Sequence, residues 1–232
     1  MDIGDAISDS IKYPLSDFGK LLILGIILII PIVNFIGAGY FIRAMKASLV
    51  GISELPSFDD AGNLFVDGLK VLVVSIVYFI IPIILMVIAW ILTIFGNSAI
   101  YYNNYSYADP TYGIIALALM GLAGLLEFII IPFLLVGLAN MAYNDSELGA
   151  AFRFSEIMSM IREIGWGEFI IWYIVLIVFL AIMGVVLWFL AFIGILLLFI
   201  LIGIILLPLL FILAGSYIYL FVARYTSALF AS

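Results

Sequence analysis

The chain has 232 residues, of which 68% are hydrophobic and 10% are charged, and it contains neither Cys nor His. A soluble domain carries roughly a quarter of charged residues, so this composition excludes a water-soluble protein. The net charge of −7 argues against nucleic acid and against electrostatic docking on anionic headgroups. Without Cys the chain can form neither disulfides nor thiolate metal sites, and without His it lacks the commonest general base and metal ligand. We expect no cofactor.

Residues 1–15 are predicted to form an amphipathic helix that ends at Pro14. Large aliphatic residues recur every four positions, and aspartates occupy the opposite face: Ile3, Ile7, Ile11 and Leu15 against Asp2, Asp5 and Asp9. The aliphatic stripe can be buried against the protein itself or in the membrane interface. The sequence leaves both alternatives open. Because the acidic start differs from the basic start of a signal peptide, we expect the segment to be retained.

The first membrane segment covers residues 21–42, which contain no charge and are long enough to span a bilayer. Its centre, however, contains Pro31, Asn34 and Gly37, which suit a turn. We therefore favour two half-helices that form a re-entrant hairpin, with Asn34 satisfying the turn, over a single spanning helix.

Four further segments are predicted to be transmembrane helices: 71–95, 113–143, 169–190 and 195–222. A tight turn near residues 191–194 would join the last two. Gly121 and Gly124 share one face of the third membrane segment and would permit close helix packing. The predicted fold is an all-α polytopic transmembrane bundle that forms a single membrane domain over residues 1–232.

The distribution of cations predicts how the chain sits in the cell membrane. Residues 43–70 contain three Lys or Arg and residues 144–168 contain two, whereas residues 96–112 contain none. We expect both charged stretches and the C-terminus to be cytoplasmic, and 96–112, which is rich in Tyr, to form an outer aromatic belt. If 21–42 is a hairpin, all eight cations lie inside. Asn104, in a glycosylation triplet, would face outward.

A weak internal repeat is also visible. Ile29-Ile30-Pro31 and Ile130-Ile131-Pro132 are each followed by a small-residue helix and then by a Ser-Glu-Leu triplet that begins at Ser53 or Ser146. Duplication is common in transporter folds. In a chain so rich in Ile, the repeat can equally arise by chance, and we leave both explanations open.

Two groups of polar residues are candidates for chemistry. Glu127 lies near the middle of a membrane segment, where an ionisable residue is a functional candidate, with Asn140 or a backbone group freed by Pro132 as a partner. We nevertheless favour a Glu without a transport role, which is either protonated or hydrogen-bonded inside the bundle, or placed at a membrane interface by a shifted helix register. Asp59, Asp60 and Asp67 could bind a hard cation, but capping by the first two and an Asp67–Lys70 surface pair are the favoured interpretation, with no metal.

Several motifs resemble the archaeal membrane-protein family named domain of unknown function 4013. They are Tyr13-Pro14, the run Ile30–Phe35, Gly39-Tyr40 with Arg43, the run Glu54–Asp60, the run Leu64–Lys70 and the run Leu148–Phe154. Within them, the candidate cytoplasmic motif consists of Glu54, Pro56, Asp59, Asp60, Asp67 and Lys70. The resemblance implies an archaeal source and no particular activity.

Three functions remain to be weighed. We favour a non-catalytic scaffold or assembly component that uses the cytoplasmic motifs. The alternative is a channel or secondary transporter that uses Glu127. A lipid-modifying enzyme is the least favoured, because we find no nucleophile and base that could work together. The bilayer is the expected environment, and a protein partner or a second copy cannot be identified from the sequence.

Overall fold

The computed structural model describes residues 3–97, 100–102, 105–107 and 110–230. Its helices and strands are α1 (Ile3–Lys12), α2 (Phe18–Ile29), α3 (Asn34–Leu49), α4 (Ala61–Asn97), β1 (Ile100–Tyr102), β2 (Tyr105–Tyr107), α5 (Pro110–Tyr143), α6 (Phe154–Ile164), α7 (Trp166–Leu196) and α8 (Gly203–Phe230). Four of them, α4, α5, α7 and α8, are long and apolar enough to cross a membrane. The predicted all-α, multi-pass membrane class is confirmed.

The residues of the structure group into two compact units. The first unit contains Met1–Leu72 and Leu135–Ser232, and the second contains Val73–Leu134. α4 and α5 each contribute residues to both units.

In the first unit, residues 18–49 form a helical hairpin. α2 ends before Pro31, as expected because proline disfavours a helical residue before it. The chain then turns through Ile32, which has a φ of 72°, and the backbone N–H of Asn34 donates to the Ile30 carbonyl at 2.9 Å. The predicted turn is therefore closed by the backbone of Asn34, whose side chain is exposed. With 12 residues, α2 is about 18 Å long.

Two glycines allow the backbones of α3 and α4 to touch within the first unit. A Cβ at Gly39 would overlap the carbonyl oxygen of Leu64, and a Cβ at Gly68 would overlap the carbonyl oxygen of Phe35. The contact is reciprocal, because each glycine lies one turn from the residue that the other glycine meets.

The predicted close packing at Gly121 and Gly124 is not found. Among the described residues, no atom beyond the adjoining backbone of α5 itself lies within 4 Å of a Cβ placed at either position. The sequence identified small residues on one helix face correctly, but only packing decides which face another helix approaches.

The connection between α7 and α8 lies later than predicted. α7 continues to Leu196, and the chain reverses around Leu201, which has a φ of 64°. Gly194 and Gly203 are contact positions rather than turn residues, since a Cβ at Gly203 would overlap the Gly194 carbonyl oxygen. α8 begins at Gly203, not at residue 195, and its continuation to Phe230 places Arg224 inside the helix.

The second unit consists of the apolar parts of α4 and α5 with a β-hairpin between these helices. β1 and β2 pair antiparallel, with Tyr101 opposite Ser106. No strand is predicted from the sequence in this stretch, although Tyr and Ile favour strands. The predicted aromatic belt falls largely on these strands, and Asn104 lies outside the described residues.

Candidate functional site

The segment between α3 and α4 is held in place through four of its own backbone carbonyls, which accept hydrogen bonds from side chains of α2 and α3. We call residues 54–60 of this segment the clamped loop. The Lys20 ammonium donates to Leu55 O at 2.7 Å, and the Tyr40 hydroxyl donates to Pro56 O at 2.8 Å. The Arg43 guanidinium donates to Ser57 O at 3.0 Å and also to Asp59 O. Hydrogen bonds from charged donors are the stronger kind. The loop is therefore fixed although it contains no regular secondary structure.

The side chains of the clamped loop divide into inward and outward groups. Leu55 is 2% exposed, and the Phe58 ring stacks on Tyr40 with centroids 4.1 Å apart. Glu54 and Asp59 are exposed. The loop thus exposes carboxylates on a backbone that is anchored to α2 and α3.

The same contacts bring the two ends of the helical hairpin together. Lys20 lies near the start of α2 and Arg43 lies towards the end of α3, yet both bind carbonyls of one loop, two residues apart. This is the geometry expected of a segment that enters and leaves on one side.

The predicted roles of the aspartates in the first charged stretch are partly found. Asp60 accepts the backbone N–H of Asn63 at 3.3 Å and so caps α4, whereas Asp59 contributes its carbonyl to Arg43. The Asp67–Lys70 pair is present at 2.8 Å. Asp67 also accepts the Ser146 hydroxyl at 2.9 Å, so the two charged stretches lie at the same end of the first unit.

Asn140, predicted as a partner of Glu127, is buried and has other partners. Its amide donates to Ala150 O at 2.9 Å and to Glu156 at 3.3 Å. These bonds fix the turn that follows α5. Glu127 belongs to the second unit and is half-buried, and the structure gives its carboxylate no hydrogen bond or ion pair within the described residues.

Arg224 is an anchor that sequence reasoning missed. It is 8% exposed, pairs with Asp9 at 2.6 Å and donates to Ile52 O at 2.7 Å. Its guanidinium also lies 4.9 Å from the centre of the Tyr13 ring. Burial raises the pKa of the Tyr13 hydroxyl, although Ser48 and Arg224 oppose this. The available signal was a lone Arg within an apolar C-terminal helix, which implies a partner.

The amphipathic helix α1 uses different residues for its two sides than the stripe suggested. Small residues, Ala6 and Ser10, are buried against the protein. Of the predicted stripe, Ile3 and Ile7 are half-buried, whereas Ile11 is 39% exposed and Leu15, beyond the end of α1, is 59% exposed. The large apolar side chains near the end of the stripe are therefore available to the membrane interface, while the small residues allow α1 to pack closely on the rest of the first unit.

The two halves of the weak repeat differ in structure. Pro31 lies in the turn between α2 and α3, whereas Pro132 lies inside the continuous helix α5. The repeated Ile-Ile-Pro triplet does not correspond to a repeated fold at this point.

Comparison with known proteins gives the family. The profile of the family described as "Protein of unknown function (DUF4013)" matches residues 23–192, well over half of the chain. The chain belongs to this family. The DUF4013 match includes residues 23–49 of the helical hairpin, the clamped loop and Gly68, and the resemblance to this family is confirmed.

One curated relative supports the archaeal assignment. The chain is 30% identical over 166 residues to a protein of Methanocaldococcus jannaschii named "Uncharacterized protein MJ1189". The alignment covers 69% of this chain and 50% of the relative, so the chain spans about half the length of the curated relative it matches. No solved structure matches the chain.

Proposed function

We propose that this protein is a non-catalytic scaffold of the cell membrane that binds partners through the clamped loop on the cytoplasmic side. The observation that carries the proposal is the mode of anchoring. Every anchoring acceptor is a backbone carbonyl, and within the described part of the chain the exposed carboxylates of Glu54 and Asp59 take no part in the anchoring. A fixed backbone with exposed carboxylates suits a basic segment of another protein, because electrostatic complementarity selects partners.

The position of the polar contacts also supports a scaffold. The first charged stretch, 43–70, is tied to the second charged stretch by Ser146–Asp67 and to α8 by Arg224–Ile52, and these two contacts lie on either side of the clamped loop along the chain. This arrangement is what a loop needs to keep its shape while a partner binds, since ordering a flexible loop would weaken binding.

Transport through Glu127 is the alternative. Two clefts of about 330 Å³ and 260 Å³ lie at the polar end of the first unit, and Glu127 lines neither of them. A transport site is expected to combine an intramembrane charge with a polar cavity, and neither of these two clefts supplies that cavity to Glu127.

Binding of a basic peptide tests the proposal. A fluorescent decapeptide of lysine is titrated against the full chain in dodecyl maltoside, and against the double variant Glu54→Gln with Asp59→Asn. The double substitution keeps every anchoring carbonyl, so the loop is expected to hold its shape. We expect at least about a tenfold loss of affinity, from roughly 1 kcal/mol for each charge removed near a surface.

The matched control changes two other exposed carboxylates, Glu163→Gln with Glu168→Gln. It alters the net charge equally and should weaken binding by less than twofold. Equal losses for both pairs would show general attraction to an acidic protein and contradict the proposal. In liposomes, a proton or potassium flux that Glu127→Gln abolishes would favour the transporter instead.

The proposed orientation rests on the cations and on the hairpin whose two ends meet at the clamped loop. The chain has no native Cys, so single cysteines at Ser57, Ser106 and Ser155 can be labelled with an impermeant thiol reagent in intact cells. We expect only the cysteine at 106 to react. Labelling at 57 or 155 in intact cells would reverse the orientation.

A further inference from the structure

Three of the eight cations of the chain converge on one cleft of the first unit. Arg43 and Lys46 of α3 and Lys70 of α4 line a space of about 330 Å³, together with Asp67 and Asp145. The negative net charge of the whole chain argues against attraction to anionic headgroups. This cleft differs from the chain as a whole, because three cations line it.

The positive charges of the cleft are only partly neutralised. Lys70 pairs with Asp67 at 2.8 Å, but Lys46 is 3.9 Å from the fully exposed carboxylate of Asp145. The hydrogen bonds of Arg43 go to carbonyl groups, which carry no net charge, and all of them use a single guanidinium nitrogen. Within the part of the chain that the structure describes, Arg43 has no carboxylate partner. Its fork geometry suits the oxygens of a phosphate group.

The cleft lies where the chain changes from polar to apolar. Lys46 is in the last turn of α3, and Lys70 directly precedes Val71, where the uncharged part of α4 begins. In a membrane-spanning helix, cations at this boundary lie at the level of lipid headgroups. The volume is in the range of small-ligand pockets and exceeds that of a single phosphate.

We propose that this cleft binds a phosphate anion, carried by an anionic lipid headgroup or by a small soluble phosphate. Arg43 and Lys46 hold the phosphate oxygens. Asn63, which lines the same cleft, donates one amide hydrogen to the Asp60 carboxylate, and its second amide hydrogen is offered to a neighbouring hydroxyl or ester oxygen. Arg43 also anchors the clamped loop, whereas the carboxylates of Glu54 and Asp59 do not line this cleft.

Native mass spectrometry of the full chain in detergent tests the site. The protein is titrated with phosphatidylglycerol, and with phosphatidylcholine as the zwitterionic comparison. Lys46→Gln should weaken phosphatidylglycerol binding about fivefold, the effect of removing one lysine near an anionic surface. The matched control, Lys12→Gln, removes an exposed cation outside the cleft and should change binding by less than twofold.

A second variant tests the opposite direction. Asp145→Asn removes the carboxylate nearest to Lys46 and should tighten binding, whereas Glu163→Gln, which changes the charge equally elsewhere, should not. Addition of millimolar inorganic phosphate separates the two sources. Displacement of the lipid indicates that free phosphate occupies the cleft, and retention indicates a lipid headgroup. Equal effects of Lys46→Gln and Lys12→Gln, or no preference for phosphatidylglycerol over phosphatidylcholine, would overturn the proposal.

Discussion

The two units of this protein differ most in their charge. All eight Lys and Arg belong to the first unit, whereas Asp109 and Glu127 are the two charged residues of the second. In the first unit, buried polar contacts and glycine crossings fix the helices, as Arg224 and Gly39 illustrate. In the second, large apolar side chains such as Trp90 are exposed, and the buried residues include small alanines.

This difference shows that hydrophobicity alone does not specify the packing of membrane helices. Lipid tails are as apolar as leucine, so apolar surface drives insertion but does not select a partner helix. Specific contacts are therefore expected to dominate stability in the first unit and to contribute little in the second.

The largest expected effect compares a glycine from each unit. Gly39→Ala should destabilise the protein by about 3 kcal/mol or more, because the new methyl group meets the backbone of Leu64 and a backbone cannot move aside easily. Gly121→Ala should stabilise it by about 0.5–1 kcal/mol through helix propensity. Unfolding in mixed dodecyl maltoside and dodecyl sulfate micelles measures both. If both variants changed the unfolding free energy in the same direction, the proposed difference between the two units would be wrong.

A smaller effect is expected from the charges. Arg224→Gln should cost about 2 kcal/mol, since it removes the ion pair with Asp9 and leaves Ile52 O without its donor. The expected loss is kept at this size because the Asp9 side chain is 47% exposed, so solvent weakens the ion pair. Glu127→Gln should leave the unfolding free energy unchanged or raise it. The same micelle titration measures both variants. A larger loss of unfolding free energy for Glu127→Gln than for Arg224→Gln would contradict the proposed difference between the two units.

Removal of one hydroxyl group should have an effect of about 1 kcal/mol. Tyr40→Phe loses the hydrogen bond to Pro56 O but keeps the ring stacked on Phe58. Tyr112→Phe, at an exposed position in the second unit, should change nothing measurable. Hydrogen exchange of the clamped loop should also accelerate in Tyr40→Phe alone; unchanged exchange would mean that the hydroxyl does not hold the loop.

The smallest effect depends on pH. The backbone N–H of Lys20 donates to the Asp17 carboxylate, which caps α2, and lowers its pKa. The resulting stability is present above the usual pKa of 3.8 and is lost as the pH falls through the lowered value. Asp17→Asn keeps a capping side chain but cannot titrate, so its stability should fall less on acidification than that of the native chain. Identical acid dependence in both proteins would refute this role.

Sequence reasoning located the segments better than their contacts. The helical hairpin was foreseen from Pro31, and the Asp67–Lys70 pair from spacing of three residues on a helix. For close helix packing, sequence reasoning selected Gly121 and Gly124 rather than Gly39 and Gly68. A small residue permits another helix to come close, but it does not show whether a helix is there. The partners of Arg224 were missed because they come from distant parts of the chain. Those of Asn140 are 10 and 16 residues away, beyond the turn that ends α5, where helix spacing no longer applies.

By itself, the sequence determined that the chain enters a membrane, because long runs without charge have no stable place in water. It also determined where the polar stretches fall and where proline ends a helix. Only the tertiary structure decided that Lys20, Tyr40 and Arg43 hold one loop, and that Arg43, Lys46 and Lys70 line one cleft. The physical reason is that hydropathy and propensity act over neighbouring residues, whereas a clamp or a cleft needs side chains from separate helices within a few ångströms of each other.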